Sequence, residues 1–350
     1  MSPQTATRGR DPASVHFPTR RLGRTDMHIT RVGFGAWAIG GGDWAVGWGR
    51  QDDAESVAAI HHAIARGINW IDTAAVYGLG HSEEIVASAL KGVPAAERPY
   101  VFTKCGLVWD ECDRTAMPRP TGAPLSIRRE VENSLRRLQV ERIDLMQMHW
   151  PAKDGTPLEE YWQTLCELRR EGKLRAIGLS NHNAGQLATA ERIGHVDTLQ
   201  PPFSAIKRDA GAREIPWCHA HETGVIVYSP MQSGLLSGDF SAARVARLPA
   251  NDWRSRAEEF SGDALRRNLL LAEAMRPIAR SHDSTVAAVA VAWTLAWPGV
   301  TGAIVGARRP AQVDGWLDAA TLPLSDSDMA QIAAAIESTG AGSGPAEPAR

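Results

Sequence analysis

The sequence is poor in cysteine and in two of the three large aromatic residue types. Its 350 residues include 4 Cys, 4 Tyr and 6 Phe, and the cysteines show neither metal-ligand spacing nor a disulfide framework. Each pair of neighbouring histidines lacks a third ligand at a suitable spacing, so we expect no bound metal. The cysteine pattern fits a reduced, cytoplasmic protein better than a secreted one.

Long apolar runs and an excess of basic residues are also missing. No apolar run reaches the ~18 residues that a membrane span needs, and the first residues lack the apolar core of a secretory signal. Lys and Arg total 38 against 40 Asp and Glu, which does not indicate binding to nucleic acid. We therefore expect a globular protein without a membrane or nucleic-acid partner, and its oligomeric state stays open.

Between two predicted tails, strands and helices alternate along the chain. Residues 1–18 and 338–350 are rich in Pro, Ser, Thr, Gly and Arg, and we expect both to be disordered because they have little apolar surface to bury. Residues 19–337 contain eight short apolar runs, each followed by a helical pattern. The runs are residues 32–35, 69–72, 100–104, 143–149, 174–179, 196–200, 224–228 and 302–305.

Eight strand-helix units close most economically into a single-domain (β/α)8 barrel, the TIM barrel of the α/β class. In such a barrel the chemistry lies at the C-terminal ends of the strands. Asp72, Lys104 and His149 close the second, third and fourth predicted strands, and Tyr77 follows in the loop after Asp72. Because these strands are neighbours, we expect the four side chains to form one cluster.

This cluster suits proton delivery to a carbonyl oxygen. A nearby ammonium lowers the pKa of a tyrosine, and Lys104 is placed to supply that charge to Tyr77. Asp72 pairs with Lys104 and holds it, while His149 donates a hydrogen bond that orients the carbonyl. An alternative is an aldolase-like barrel in which Lys104 forms a Schiff base with the substrate.

Two stretches of sequence carry a family resemblance. Residues 69–78 read NWIDTAAVYG, and residues 131–151 contain VENSL, IDL and HWP. With these motifs the chain resembles the aldo-keto reductase family, in particular its bacterial, general-stress-protein-like members, from about residue 21 to residue 336. The resemblance implies a nicotinamide cofactor held on the barrel without a Rossmann domain. It also implies that Tyr77 is the general acid, that Lys104 and Asp72 tune it, and that His149 positions the carbonyl.

The resemblance further implies how the nicotinamide end of the cofactor is held. Ser180, Asn181 and Gln200 match the residues that bind the carboxamide, and Tyr228 matches the residue that stacks on the nicotinamide ring. Other cofactor contacts are implied after the first strand and in the loop after the seventh, at Gly35, Ala36, Trp37, Ser229, Pro230, Met231, Gly234, Leu235 and Gly238.

At the adenosine end, Gly306, Arg308 and Gln312 open the helix after the eighth strand, where backbone N–H groups favour phosphate. Arg308 suits the 2′-phosphate of NADPH, which makes NADPH the expected cofactor and NADH the second choice. Many members carry Glu and Asn where this chain has Gly315 and Trp316, so the adenine contacts are the least determined.

The implied activity is the NADPH-dependent reduction of aldehydes or ketones to alcohols. An interpretation from another class is a cofactor-binding subunit of the same fold that regulates a partner and turns over little substrate. If the protein is an enzyme, we expect Tyr77→Phe to remove most turnover and to leave NADPH binding largely intact, whereas tight NADPH binding with negligible turnover would favour the regulatory subunit.

Tryptophan is the abundant aromatic residue, with 12 in the chain. Trp37, Trp109 and Trp150 follow the first, third and fourth predicted strands, next to the proposed cluster. Rigid aromatic walls suit an apolar pocket with few polar groups. We expect these three residues, with Tyr77 and His149, to form the pocket for a small carbonyl substrate.

Overall fold

The eight apolar runs form eight strands of one closed barrel in which every pair of neighbouring strands is parallel. The computed structural model describes residues 17–249 and 252–348, so most of the predicted N-terminal tail lies outside the described residues. In chain order the strands are β1 (Thr19–Arg21), β2 (His28–Thr30), β3 (Val32–Gly35), β4 (Trp70–Asp72), β5 (Tyr100–Cys105), β6 (Leu107–Val108), β7 (Arg119–Pro120), β8 (Ile143–Met148), β9 (Leu174–Ser180), β10 (Thr198–Gln200), β11 (Gly224–Val227) and β12 (Val300–Gly306). The barrel order is β3, β4, β5, β8, β9, β10, β11 and β12, which confirms the predicted (β/α)8 barrel.

Helices cover the outside of the barrel. They are α1 (Asp53–Ala65), α2 (His81–Leu90), α3 (Pro124–Leu138), α4 (Leu158–Arg170), α5 (Ala184–Glu191), α6 (Glu214–Ala220), α7 (Ala242–Val245), α8 (Gly262–Ala274), α9 (Arg276–Ser281), α10 (Val286–Ala296), α11 (Pro310–Leu317) and α12 (Asp326–Thr339). The sequence pattern predicts one helix where α8 and α9 stand. Pro277 separates them, because proline in the first turn of α9 has no N–H to continue α8.

In the described ranges, 17–249 and 252–348, none of the helices combines the length and the apolar composition needed to cross a bilayer.

The hairpin of β1 and β2 closes the end of the barrel opposite to the strand exits. Ile29 and Met27 of this hairpin are fully buried against Trp70 and Phe102, which point into the barrel. Trp70 fills the space next to Gly33, since a Cβ at Gly33 would lie 2.1 Å from the indole ring. The floor of the barrel is therefore packed, and any site must lie at the other end.

The C-terminal segment differs from the disordered tail that its composition predicts. Residues 338–339 belong to α12, and the segment after it returns to pair with the region before α6: Arg208 N donates to Ser343 O at 2.9 Å, and Ser343 N donates to Ile206 O at 3.0 Å. The guanidinium of Arg208, itself buried, donates to the carbonyls of Ala341 and Gly344. Backbone hydrogen bonds and the buried Ala341 hold this segment, so its small apolar surface does not leave it disordered.

Candidate active site

Four predicted side chains meet at the C-terminal ends of β4, β5 and β8. Lys104 Nζ lies 2.6 Å from Asp72 Oδ1 and 3.4 Å from Tyr77 Oη, and it also donates to Thr73 O at 2.9 Å. The rings of Tyr77 and His149 make an edge contact with centroids 5.7 Å apart. The structure thus brings together the four residues that the sequence places at neighbouring strand ends.

Burial dominates the protonation of Tyr77 and His149. Part of the Tyr77 ring faces a cavity, but the residue lies deep among protein atoms, and burial together with the Asp72 carboxylate raises its pKa well above 10.0. This is opposite to the expected lowering by Lys104. Burial, reinforced by the Lys104 ammonium, holds the pKa of His149 well below 6.5. At neutral pH, Tyr77 therefore carries its phenol proton and the His149 imidazole is uncharged.

The Asp72–Lys104 ion pair is fully enclosed, because the side chains are 3% and 0% exposed. Burial raises the pKa of Asp72 and lowers the pKa of Lys104, and the attraction between the two groups opposes both changes. Gln200 Nε2 donates to the second oxygen of Asp72 at 2.8 Å. Both carboxylate oxygens of Asp72 are thus paired, which fixes the Lys104 ammonium beneath Tyr77.

The residues predicted for the nicotinamide end form a hydrogen-bond network around the barrel mouth. Asn181 Nδ2 donates to His149 O at 2.9 Å, and Tyr228 Oη donates to Asn181 Oδ1 at 2.8 Å. Ser180 Oγ donates to Gln200 O at 2.8 Å. The bond to Asp72 uses one N–H of the Gln200 amide, so the second N–H and the carbonyl oxygen stay open for the predicted carboxamide contact.

A cavity of about 740 Å³ opens above this network. Asp72 and Tyr77 line it together with most of the predicted cofactor residues, namely Gly35, Ala36, Trp37, Gln200, Tyr228, Ser229, Pro230, Met231, Gly234, Gly238, Gly306, Arg308 and Gln312. Ser180, Asn181, Leu235 and His149 do not line it, and Leu235 is fully buried in the core. The loop after β11 therefore places several glycine and serine residues along the cavity, while the Leu235 side chain packs in the hydrophobic core.

The cavity wall has more basic than acidic side chains, with Arg254 paired to Asp252 and Arg276 paired to Glu273. Two acidic residues, Asp72 and Asp239, line it, against five arginines: Arg244, Arg254, Arg276, Arg280 and Arg308. The wall also includes Gly315, where a Cβ would have no neighbour within 4 Å, so a ligand has room to approach the backbone of α11. These features fit an elongated ligand with several phosphate charges, as a dinucleotide has.

The aromatic wall beside Tyr77 differs from the predicted one. Trp37 stacks on Tyr77 at 6.1 Å and on Trp253 at 5.9 Å, and it meets Trp48 edge-on at 5.1 Å. The sequence interpretation missed Trp253, which lies in the insertion after β11. Insertions at the C-terminal ends of barrel strands border the active site, so the position of Trp253 in such an insertion is the sequence feature that could have identified it.

Trp109 and Trp150, both predicted for the substrate pocket, do not line the large cavity. Trp109 lines a separate depression of about 410 Å³ with Arg114 and Arg136. Trp150 is 43% exposed and does not line the large cavity. Trp109 packs on the same small cluster of Trp44, Ala74 and Val76 as Trp37 and Tyr77 do, so a place beside the substrate stays a prediction for both tryptophans.

Across the part of the chain that the structure describes, no group of three or more His, Cys, Asp or Glu is arranged to hold a metal ion.

The barrel, the buried ion pair beneath Tyr77 and the cationic cavity define a class, the barrel enzymes that bind a phosphorylated cofactor at the ends of their strands.

Comparison with known proteins identifies the family. The Aldo/keto reductase family matches residues 31–337. The NADH-specific methylglyoxal reductase of Escherichia coli (strain K12) is 34% identical, with 90% of this chain and 98% of that protein covered. Aldo-keto reductase YhdN of Bacillus subtilis (strain 168) is 32% identical, with 91% and 93% covered.

Two solved structures are similar along most of their length. The glycerol dehydrogenase of Gluconobacter oxydans is 37% identical with a TM-score of 0.83, and 92% of this chain and 95% of that chain are covered. An aldo-keto reductase of Bacillus halodurans, solved in its holo form, is 25% identical with a TM-score of 0.74, covering 91% and 96%. The chain belongs to the aldo-keto reductase family and is an NAD(P)H-dependent oxidoreductase that acts on carbonyl or alcohol groups.

Proposed function

We propose that the protein reduces a small aldehyde or ketone to an alcohol and that Tyr77 donates the proton to the carbonyl oxygen. The observation that carries the proposal is the contact of Tyr77 Oη with Lys104 Nζ, at 3.4 Å, at the base of the cationic cavity. When bound, the nicotinamide supplies the hydride that reaches the carbonyl carbon.

The contacts of Lys104 explain how Tyr77 acts as an acid despite its raised pKa. Because Lys104 donates to the phenol oxygen, the phenol proton is free to point at a substrate in the cavity. As that proton leaves, negative charge grows on Tyr77 Oη beside the ammonium, which stabilises the transition state more than the ground state. Asp72 and Thr73 O keep the ammonium in place.

His149 is the second donor that we assign to the substrate carbonyl. Its ring does not line the large cavity but lies against the edge of Tyr77, which does, and its low pKa keeps it a neutral imidazole with one N–H to donate. A neutral donor orients the carbonyl without competing with Tyr77 as a source of the proton.

For the cofactor we propose NADPH, with NADH as the rival. The arginine-rich wall supports a ligand with the extra phosphate, whereas the methylglyoxal reductase of Escherichia coli is NADH-specific. Two relatives act on three-carbon compounds, methylglyoxal and glycerol, and the Trp37 wall close to Tyr77 supports a small substrate here too. Initial rates on a panel of short aldehydes and ketones with each cofactor test both assignments.

The test of the chemistry is Tyr77→Phe. We expect turnover to fall by about 10²-fold or more, because the proton donor is lost, while nucleotide binding measured by fluorescence titration stays close to that of the wild type. Tyr100→Phe is the matched control, because Tyr100 begins β5 at the opposite end of the barrel.

A Tyr77→Phe variant with near wild-type kcat would sink the assignment. Substrate trapped on Lys104 by borohydride would favour the Schiff-base alternative. Tight NADPH binding with negligible turnover on the whole panel would favour the regulatory subunit.

A further inference from the structure

The side chain of Arg308 is bound by the loop between β3 and α1. Arg308 Nε donates to Gln51 Oε1 at 2.6 Å, Nη1 donates to Trp48 O at 3.4 Å, and Nη2 donates to the carbonyl of Arg50. Gln51 returns the contact, since its Nε2 donates to Arg308 O at 3.0 Å. We call these four contacts the clasp. It ties two segments that are more than 250 positions apart in the chain.

The clasp competes with any phosphate that approaches Arg308. Tight recognition of phosphate by arginine uses two parallel N–H groups of one guanidinium. Three of the five guanidinium N–H groups of Arg308 already donate within the protein, and the edge that contains Nε faces Gln51. A phosphate can accept two parallel hydrogen bonds from the Nε edge of Arg308 only after the guanidinium has moved away from Gln51.

The clasp also bears on the aromatic wall next to Tyr77. Trp48, whose carbonyl accepts from Arg308, packs edge-on against Trp37, and the guanidinium of Arg254 lies 4.7 Å from its ring. The indole N–H groups of Trp44 and Trp48 are buried and have no acceptor among the described residues. A buried donor without an acceptor costs free energy. This favours a rearrangement of the loop between β3 and α1 once its hydrogen bonds to Arg308 are broken.

Glycines give the loop the freedom to do so. Gly41 and Gly49 have φ values of +84° and +79°, in the left-handed region that other residues avoid, and Gly49 has open space around its missing side chain.

We propose that Gln51 is a positioning residue that sets cofactor preference: by holding Arg308 in the clasp, it opposes binding of a 2′-phosphorylated adenosine nucleotide and links that binding to the loop at residues 40–51. The proposal deepens the proposed function and rests on it for the location of the cofactor. A nucleotide without the 2′-phosphate leaves the clasp intact. Gln51 thus reduces the difference in binding affinity between NADPH and NADH that Arg308 produces.

The first test measures the affinity for two fragments that differ only in the 2′-phosphate, adenosine 2′,5′-bisphosphate and adenosine 5′-monophosphate. Calorimetry compares the wild type with Gln51→Met, which preserves the side-chain length but makes neither hydrogen bond. We expect the variant to bind the bisphosphate about tenfold more tightly, with the monophosphate unchanged. Gln331→Met, an exposed change on α12, is the control and should alter neither affinity.

Unchanged or weaker binding of the bisphosphate by Gln51→Met overturns the proposal, and so does an equal gain for both fragments. Arg308→Met separates the possible failures. If it leaves the ratio of the two affinities unchanged, the 2′-phosphate does not bind Arg308, and both the clasp proposal and the NADPH preference fall. The assignment of Tyr77 as the proton donor is unaffected by that result, because it is decided by turnover.

The second test follows the loop itself by hydrogen exchange. With the bisphosphate bound, we expect the amides of residues 40–51 to exchange faster than in the free protein, because Arg308 has left the loop. The monophosphate should produce no such change. Equal protection with both fragments would contradict the link between the phosphate and the loop.

Discussion

At the residue scale, the environment of the site reverses one inference drawn from charge alone. A lysine beside a tyrosine predicts a lowered tyrosine pKa, yet burial and the Asp72 carboxylate raise the pKa of Tyr77. Lys104 is close, but its ammonium interacts mainly with the Asp72 carboxylate, 2.6 Å away. The identities of these residues followed from their positions at strand ends, whereas their protonation depended on how deeply the barrel encloses them.

The pKa directions predict the pH dependence of carbonyl reduction. His149 stays neutral above its depressed pKa, and Tyr77 stays protonated below its raised pKa. Both side chains are therefore in the protonation state that the reaction needs between pH 6.5 and pH 10.0, the ordinary pKa values of histidine and tyrosine. We expect kcat/KM for the carbonyl, at saturating cofactor, to be flat around neutral pH and to fall at the basic end, where the Lys104 ammonium, whose pKa is lowered by burial, loses its proton. A Tyr77 phenolate that forms below pH 10.0, detected as tyrosinate absorbance that is missing in Tyr77→Phe, would instead support a phenol acidified by lysine.

At the element scale, small residues in the strands make room for large ones inside the barrel. β3 reads Val-Gly-Phe-Gly, and Gly33 is fully enclosed by the indole of Trp70, which donates to Thr30 O at 2.8 Å. The apolar run at residues 32–35 was enough to predict this strand. The need for glycine within it arises from Trp70, on the next strand, and could not be predicted.

Gly33→Ala tests this packing. A Cβ at 2.1 Å from the ring must displace Trp70, and we expect a loss of about 3 kcal/mol in the free energy of unfolding, measured by urea denaturation. Gly315→Ala is the matched change in α11, where a Cβ has no neighbour within 4 Å; there we expect a gain of up to about 1 kcal/mol. Equal effects of the two substitutions would show that the Trp70 contact does not matter.

At the scale of the whole molecule, the chain closes on itself through contacts between distant segments. Arg208, just after β10, is buried and binds the carbonyls of Ala341 and Gly344 beyond α12. Gly342 allows the close approach, since a Cβ there would lie 1.8 Å from Ile206 O. The C-terminal segment is in this way part of the folded barrel domain.

We predict that a chain ending at Thr339 loses about 4 kcal/mol of unfolding free energy, since the four hydrogen bonds that join Ile206 and Arg208 to residues 341–344 disappear. Arg208→Met should cost less in that shortened chain than in the full one, because its partners are already gone. Arg213→Met, an exposed change nearby, is the control. Additive effects of truncation and Arg208→Met, seen in denaturation curves, would contradict the coupling.

The sequence by itself determined the barrel, its eight strands, and the meeting of Asp72, Lys104, His149 and Tyr77, because these follow from local apolar periodicity and from the ends of successive strands. The tertiary structure decided how the aromatic residues pack beside the site, since Trp253 stacks on Trp37 while Trp109 lines a separate depression. It also decided the clasp on Arg308 and the docking of the C-terminal segment. Those features depend on how loops far apart in sequence pack together, and no local pattern encodes such contacts.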